Sequence, residues 1–327
     1  MAINPGDKPR SMNHYRQGRP QTWIRWPNKP DSYAIETGDM LELIMMKAIK
    51  SVRPSPIAGS WYSANPNELA QTIDAYLAEA ELPLLAGEVM GLVAPHAGHI
   101  YSGPVAAYAF KTVLGRHFDR VAVLSPLHQY DPRPVLASAH NAYQTPLGLL
   151  PIDKAAVAAV DTALQARLGL SLTPIANDRE HSLEIELPFL QRTLTGEFDL
   201  VPIMMRDQSR RVAEALGLAL AEALDPETTL LVASSDLSHF YPESQANQLD
   251  GRLLKTLATF SPDALFDLQD QGLGQACGLS PIATVLWAAQ AWGADRVTLL
   301  NYDTSAAVTG DRSSVVGYGA AAITRPN

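Results

Sequence analysis

The sequence predicts a single α/β domain with a mainly parallel central sheet flanked by helices. Short apolar runs of strand length alternate with segments of helical periodicity over most of the chain. Neither an internal repeat nor a linker interrupts residues 46–327. The composition, with 46% hydrophobic and 18% charged residues, is typical of a globular chain with a large core. Strands that alternate with helices form βαβ units, and these units build parallel sheets covered on both faces.

The helical segments are recognised by apolar residues that recur every three or four positions. In the first of them Leu69, Ile73 and Leu77 show this spacing, and Asn65 or Asn67 stands where a capping side chain is expected. The same criterion predicts helices over residues 65–82, 104–115, 153–167, 180–193, 208–224, 244–258 and 281–292. Short apolar runs predict strands over residues 89–95, 120–126, 198–205, 228–235 and 295–302, and residues 313–323 form a last strand or hairpin partner.

Charge and cysteine content restrict the classes of function. The net charge of −9 argues against a nucleic-acid partner, because phosphate binding depends on Lys and Arg. No apolar run reaches the roughly 18 residues that a membrane span requires. A lone cysteine cannot form an intramolecular disulfide, and the chain does not begin with a secretory pattern. We therefore expect a cytoplasmic protein whose partner is a small molecule, a metal or another protein.

The N-terminal part of the chain differs from the rest. Its first 30 residues contain five prolines, six Lys or Arg and one acidic residue, without helical or strand periodicity. This pattern predicts a disordered basic extension over residues 1–44, followed by the α/β domain over residues 45–327. The extension is either an interaction arm or the result of a start codon assigned too far upstream, with Met45 or Met46 as the first residue. We favour the second interpretation, because an ordered pattern begins directly afterwards.

Polar side chains follow three of the predicted strands at the point where each strand ends. His96 and His128 each follow a buried apolar run, and a third run leads into Asp236 and His239. In open α/β sheets, ligands bind at the carboxyl ends of the strands. We therefore expect these side chains to converge, although they lie far apart in the sequence.

A further histidine opens the predicted helix in the segment DREHSLEIELPFLQ. His181 stands in an acidic first turn that suits the positive end of the helix dipole, and Glu184 follows one turn later on the same face. Glu180 and Glu184 therefore have two interpretations, as parts of a site or as acids that only complement the dipole. His99 would face the same site as His96 only if a helical turn formed there, and Gly98 argues against that turn.

The single cysteine precedes another helix. In the segment ACGLSPI, Cys277 is followed by Ser280 as the expected cap and Pro281 at the expected first helical position. A thiol at a helix N-terminus is biased toward the thiolate, which is also the form that binds metals. Two histidines and one cysteine leave coordination positions open, as catalytic metal sites require.

Motifs along the chain resemble a known family. In order they are RPSPIAGSWY, APHAGHIYSG, TPLG followed by Asp153, EHSLEIELPFLQ, SSDLSHF, ACGLSPI and NYDTS with VVGYGAAA. This series resembles the Memo-like proteins, whose bacterial members are called AmmeMemoRadiSam system protein B, over about residues 46–325. That family is similar in fold to the class III extradiol dioxygenases of the LigB type, which have a single α/β domain and a non-haem Fe(II).

The resemblance implies a metal-coordinating set formed by His96, His128 and Cys277. It places three further side chains, as candidate catalytic residues, at the same pocket: His181, Asp236 and His239. The dioxygenases have a carboxylate where this chain has the cysteine, and a thiolate favours softer ions such as Cu(I) or Zn(II). Ring cleavage is therefore not the expected reaction, and the expected cofactor is a single iron or copper ion, with zinc as the alternative. His99 stands where family members commonly have an aromatic residue.

Three functions follow from these residues. The first is a metal-dependent enzyme of redox or oxygen chemistry on a small molecule. The second is a non-catalytic binding module that retains a dioxygenase-like pocket, since eukaryotic relatives are associated with phosphotyrosine-bearing peptides. Arg179 and Arg206 are the main cations near the motifs, which disfavours that role here. The third is a hydrolase with Cys277 as nucleophile, His239 as base and Asp236 as orienting group. The family's gene-cluster name also implies a radical-SAM enzyme and an AMMECR-type protein as partners.

Overall fold

The computed structural model of the protein describes residues 51–326. The extension predicted over residues 1–44, and the alternative start at Met45 or Met46, lie outside these residues and stay predictions. Within the described residues, no helix combines the length and the apolar character that a membrane span requires.

The described part of the chain is an α/β domain built on a nine-stranded mixed sheet. Its strands, in chain order, are β2 (Glu88–Ala94), β3 (Arg120–Pro126), β4 (Val135–Ser138), β7 (Thr173–Ile175), β8 (Asp199–Met205), β9 (Thr229–Ser234), β10 (His239–Tyr241), β11 (Arg296–Thr304) and β12 (Val315–Arg325). The order across the sheet is β10-β12-β2-β9-β3-β8-β4-β7, and β11 also pairs with β12. A separate small sheet joins β1 (Val52–Arg53), β5 (Ala142–Thr145) and β6 (Gly148–Pro151).

The four central strands are parallel, in agreement with the predicted fold class. β2 pairs with β9, β9 with β3 and β3 with β8, all in parallel register. The outer pairs of β12 with β2 and of β4 with β8 are antiparallel. β11 and β12 form the hairpin-like pair that the sequence left open, and they are antiparallel. The carboxyl ends of β2, β9 and β3 therefore lie side by side.

Helices cover both faces of the sheet. They are α1 (Pro66–Glu79), α2 (His99–Lys111), α3 (Lys154–Leu168), α4 (Leu187–Thr193), α5 (Arg210–Ala223), α6 (Glu243–Ala258), α7 (Pro262–Asp270), α8 (Leu279–Ala291) and α9 (Ala306–Thr309). Successive residues of β3 point to opposite faces, so that Leu124 packs in one hydrophobic core and Val123 in the other. This alternation explains why the central strands are apolar throughout.

Three helix starts near the site differ from the prediction, and the other four predicted starts lie within two residues of the observed ones. α2 begins at His99 instead of residue 104, because Gly98 caps the helix and its carbonyl accepts the N–H groups of Tyr101 and Ser102. The argument that Gly98 would prevent a turn at His99 was therefore wrong. α8 begins at Leu279, with Gly278 as the cap instead of Ser280.

The helix predicted over residues 180–193 is shorter and begins later. A 3₁₀ turn over Glu184–Glu186 leads directly into α4, and no helix contains His181. The carboxylate of Glu180 accepts the N–H groups of His181 and Ser182, each at 3.0 Å, which satisfies these groups outside a helix. His181 and Glu184 consequently do not share a helix face.

Candidate metal centre

Two of the predicted histidines meet at the carboxyl edge of the sheet. His96 follows the end of β2 and His128 follows the end of β3, with β9 between these strands. Their ring centroids lie 5.3 Å apart, with the rings edge to face. The parallel order of the strands therefore brings together side chains that are distant in sequence.

His181 reaches the same point from the loop before α4. Its ring centroid lies 4.6 Å from that of His128 and 5.5 Å from that of His96. One ring nitrogen from each of the three histidines lies within 4.8 Å of the others, which is close enough to hold one metal ion. The ring of Trp61 packs against that of His181, with 4.2 Å between centroids.

His96 is held by two neighbours from the end of β9. Its Nδ1 lies 2.9 Å from Oγ of Ser234, and its backbone N–H donates to Oδ1 of Asp236 over 2.7 Å. Burial, together with the nearby imidazoles of His128 and His181, lowers the pKa of His96 well below its usual value. The ring is therefore neutral near pH 7, as a metal ligand must be.

Glu180 organises the other two histidines. Its carboxylate accepts from Nδ1 of His128 over 2.9 Å and from the backbone N–H of His128 over 2.6 Å. It also lies 3.3 Å from Nδ1 of His181. Burial opposes ionisation of Glu180, but its hydrogen bonds from His128 and Ser182 hold the pKa of Glu180 well below the usual range. With Nδ1 of His128 donating to Glu180, Nε2 of that ring keeps its lone pair for a ligand.

Burial also determines the protonation state of His181. Its effect outweighs the stabilisation of the protonated ring by Glu180 and lowers the pKa of His181 to about 4. His181 is therefore neutral near pH 7. The arrangement of a carboxylate behind an imidazole is the one that commonly supports a metal-binding histidine.

Cys277 lies beside His96 but outside the group of three imidazoles. Its Sγ is 3.1 Å from Nε2 of His96, and its backbone N–H donates to the carbonyl of Asp236 over 3.2 Å. Burial and the nearby Asp236 raise the pKa of Cys277 above its ordinary value. This direction is opposite to the thiolate bias expected from the helix terminus, so the sulfur carries its proton when no metal is bound.

Asp236 and His239 are both near the centre, in positions different from those of a catalytic dyad. Asp236 supports the loop that carries His96, and burial raises the pKa of Asp236 to about 7. His239 stands at the start of β10, where its Nδ1 lies 2.8 Å from the carbonyl of Leu237. Burial lowers the pKa of His239.

Two cavities, each of about 420 Å³, border this region. One is lined by Cys277, His239 and the amides of Gln269 and Gln275, among others. The other is lined by Trp61 and by residues of three further segments, among them Ala97, Gly98, Tyr101, Phe240 and Tyr318. The first cavity therefore reaches Cys277 and His239, and the second reaches Trp61, whose ring packs on His181.

His99 has no part in this arrangement. Its Nε2 lies 3.0 Å from the carbonyl of Ile185, and its ring packs against Tyr62 and Phe189 at centroid distances of 5.2 and 5.0 Å. It occupies the place of a core aromatic residue.

Sequence reasoning did not identify Ser234 or Glu186, and it left the role of Glu180 open. Ser234 is the last residue of β9, so its place at the carboxyl edge of a predicted strand could have indicated it. Glu186 lies in the 3₁₀ turn, where nothing in the local pattern separates it from a surface acid.

The donor set fits a metal ion. Three imidazoles converge, with a hydrogen-bond partner at the far nitrogen of His96 and of His128 and with a sulfur at the edge of the group. Imidazole ligands suit iron, copper, zinc and nickel. The geometry is therefore compatible with a bound transition metal without selecting one.

Comparison with known proteins agrees with the motifs. The family model described as Memo-like protein matches residues 53–322. A MEMO1 family protein of Nitrosopumilus maritimus is 33% identical over 273 residues, covering 82% of this chain and 98% of the relative. A MEMO1 family protein of Methanopyrus kandleri is 34% identical over 282 residues, covering 82% and 97%. The chain belongs to the Memo-like protein family.

Proposed function

We propose that this protein holds a single iron or copper ion at the carboxyl edge of its sheet and uses it in redox or oxygen chemistry on a small substrate. The observation that supports this most directly is the approach of three ring nitrogens to within 4.8 Å of one another. Imidazoles that serve only packing do not need to bring their nitrogens so close to one another.

His96 and His128 are the first two proposed ligands, each through Nε2, because Nδ1 of each ring faces a protein oxygen. Cys277 is the proposed third ligand, since its sulfur lies beside Nε2 of His96. His181, which the sequence analysis gave as a candidate catalytic residue, is a further proposed donor, because one of its ring nitrogens lies within 4.8 Å of those of His96 and His128. A mixed set of imidazole and thiolate ligands suits copper, iron and zinc.

The protein groups around the ion have separate tasks. When bound, the ion would supply Lewis acidity and electron transfer to the substrate. Asp236 holds the backbone of His96, and Glu180 orients His128. His239 lines the first cavity beside Cys277 and is the proposed proton acceptor or donor for a substrate bound there. The polar side chains of that lining are amides, an imidazole, a phenol and a thiol, which suits a neutral substrate.

A non-catalytic binding module is the second candidate, because the second cavity carries an exposed aromatic side chain in a strained backbone position. Phe240 has a φ of 65°, and its side chain is 76% exposed. Such strain often marks a functional site. The Cys-His-Asp hydrolase is less well supported, since Cys277 pairs with His96 and Nδ1 of His239 faces a backbone carbonyl instead of Asp236.

Metal analysis of protein purified without an affinity tag tests the proposal. We expect about one iron or copper per chain. His96→Ala and His128→Ala should each lower the metal affinity at least about tenfold, because the loss of a group that only hydrogen-bonds to a ligand already costs about 10–100-fold. His117→Ala is the matched control, since His117 is an exposed histidine bonded to the carbonyl of Thr195. His181→Ala and Cys277→Ala then determine which of these side chains completes the ligand set.

The competing functions give different results in the same experiment. A wild-type protein that takes up no transition metal, with a thiol that reacts rapidly near neutral pH, would support the hydrolase. Absence of metal together with an unreactive thiol and tight binding of a peptide or protein would support the binding module. Metal retained equally in all four variants would place the ion elsewhere.

A further inference from the structure

The hydroxyl of Ser234 lies between three polar groups. Its Oγ is 2.9 Å from Nδ1 of His96, 2.6 Å from the backbone carbonyl oxygen of Ser182 and 2.7 Å from Oε1 of Glu186. All four residues are buried, with relative exposures of 0% for Ser234 and Ser182 and 1% for His96 and Glu186. Water therefore does not compete for these contacts.

The two short contacts between Oγ of Ser234 and oxygen atoms require more protons than the one that the hydroxyl carries. A serine hydroxyl has one proton to donate and two lone pairs to accept with. Two oxygen atoms lie within 2.7 Å of Oγ, and a single proton cannot serve both at that distance. The carbonyl of Ser182 has no proton of its own. The second proton must therefore come from the carboxyl group of Glu186.

The surroundings of Glu186 agree with a neutral carboxyl group. Burial raises the pKa of Glu186 well above its usual value, and Asp236 raises it further, although the hydroxyl of Ser234 acts in the other direction. None of these interactions, among the described residues, is with a cation. An ionised carboxylate at this depth would be an unpaired buried charge, which is strongly unfavourable.

We propose that Glu186 is a positioning residue which, as a neutral carboxylic acid, directs the Ser234 hydroxyl and thereby fixes the tautomer of His96. Glu186 donates to Oγ of Ser234, Ser234 donates to the carbonyl of Ser182, and Nδ1–H of His96 donates to the remaining lone pair of Oγ. With its single proton at Nδ1, His96 presents the lone pair of Nε2 toward the proposed metal and Cys277. This inference rests on the proposed function, because it concerns the tautomer in which one proposed ligand is held before the metal binds.

Loss of the donor at position 186 should release this constraint. Without the proton from Glu186, one lone pair of Oγ is left unoccupied, and donation from the Ser234 hydroxyl to Nδ1 of His96 competes with donation to the carbonyl of Ser182. The His96 proton would then move to Nε2, and that nitrogen could not bind a metal until the ring changed tautomer. Glu186→Met removes the donor with little change in volume, whereas Glu186→Gln keeps an N–H donor and is the conservative control.

The protonation of Glu186 is tested first in the wild-type protein. Infrared spectroscopy of metal-free protein labelled with ¹³C at the glutamate carboxyl groups should show a protonated glutamic acid band near neutral pH. That band should be absent in Glu186→Gln and unchanged in Glu197→Gln, a control at an exposed acid. Labelling only glutamate separates this band from Asp236. If wild-type protein shows no such band, Glu186 is ionised and the proposal is wrong.

The effect on His96 is tested by nitrogen NMR of the same metal-free proteins, labelled at histidine. We expect the Nδ1–H tautomer of His96 in wild type and in Glu186→Gln, and a substantial Nε2–H population in Glu186→Met. Metal affinity should fall about 10–100-fold in Glu186→Met, the range for outer-shell groups, and stay within about threefold of wild type in Glu186→Gln. An unchanged tautomer in Glu186→Met overturns the proposal, and so does a loss of affinity in both variants.

These measurements separate the inference from the proposed function. The infrared band and the tautomer are read without metal, so they stand even if the protein binds none. Because the infrared measurement uses wild type, Glu186→Gln and Glu197→Gln, failure of Glu186→Met to fold leaves the protonation of Glu186 testable.

Discussion

The sulfur of Cys277 lies 3.1 Å from Nε2 of His96, across 181 positions of sequence. With the His96 proton on Nδ1 beside Ser234, as proposed above, Nε2 holds a lone pair that the thiol proton of Cys277 can approach. Burial and Asp236 keep that thiol protonated by raising the pKa of Cys277. The contact therefore joins two groups that cannot both bind a metal until one proton has left.

Metal binding should consequently release a proton from Cys277. Since the pKa of His96 and of His181 lies below the usual value, both rings are already neutral near pH 7 and release little. We expect calorimetric titration in buffers of different ionisation enthalpy to show about one proton released by wild type and close to none by Cys277→Ser. Equal release by both proteins would mean that the sulfur is not a ligand.

Stability should fall as the pH drops below the usual pKa of histidine, and His99 should account for part of the loss. Burial lowers the pKa of His99 from 6.5 to about 4, so the unfolded chain binds this proton before the folded chain does. The stabilisation is present above pH 6.5 and is lost as the pH falls toward 4. From these values His99 should cost about 2 kcal/mol between pH 7 and pH 5.

The measurement is urea unfolding of metal-free protein at both pH values. His99→Phe keeps an aromatic ring between Tyr62 and Phe189 but cannot titrate, so its loss of stability should be smaller by that amount. The surface variant His117→Gln should behave like wild type. A His99→Phe protein with the wild-type pH dependence would assign the effect to other groups.

The buried cation Arg53 should be important for stability. Its guanidinium contacts Asp178 at 2.8 Å and Glu184 at 2.5 Å, and all three side chains are at most 1% exposed. Arg53→Met would leave two carboxylates without their partner, and removing one member of a buried pair costs about 3–5 kcal/mol. Urea unfolding near neutral pH checks this value.

The matched control is a surface arginine. Arg192 pairs with Asp74 at 2.7 Å, with side chains 38% and 48% exposed, and Arg192→Met should cost no more than about 1 kcal/mol. Since Asp178 also accepts the N–H of Glu180, Arg53→Met should weaken metal binding as well. Similar losses of stability in the two variants would contradict the buried network.

Gly278 should be needed for the position of Cys277. A Cβ at this residue would lie 2.4 Å from the carbonyl oxygen of Ser234 and 2.7 Å from Cβ of Ser235, distances that require the backbone to move. We expect Gly278→Ala to destabilise the protein by about 1–3 kcal/mol, as overpacking does, and to lower metal retention. Thermal unfolding and metal analysis together measure both effects.

Gly251, unlike Gly278, has space for an added Cβ. It lies inside α6, and a Cβ there would meet nothing within 4 Å. Gly251→Ala should therefore stabilise the protein by about 0.5–1 kcal/mol and leave metal binding unchanged. If Gly278→Ala behaved in the same way, the close approach of its loop to β9 would not matter.

Several features of this protein could be predicted from the sequence because they depend on short-range patterns. The apolar runs that became β2, β3, β8 and β9 are bounded within a few residues of their prediction. The place of His96 and His128 at the ends of two such runs was enough to predict that they would meet, since parallel strands share one carboxyl edge.

The remaining parts of the site depend on contacts between segments that no local pattern connects. His181 enters the group of imidazoles because Glu180 bonds to the loop after β3, and this contact also prevents the helix predicted at that point. The pairing of Ser234 with Glu186 likewise requires the turn before α4 to pass over the end of β9.

Residue type and spacing determined the strands, most of the helices and two of the proposed ligands. Tertiary structure alone decided the direction of the pKa shift at Cys277, because burial by distant segments outweighs the effect of the adjacent helix. It also decided that His99 belongs to the core and His181 to the centre. Local sequence sets the backbone path of each element, whereas solvent exclusion and long-range hydrogen bonds, which set protonation, arise only when the elements pack.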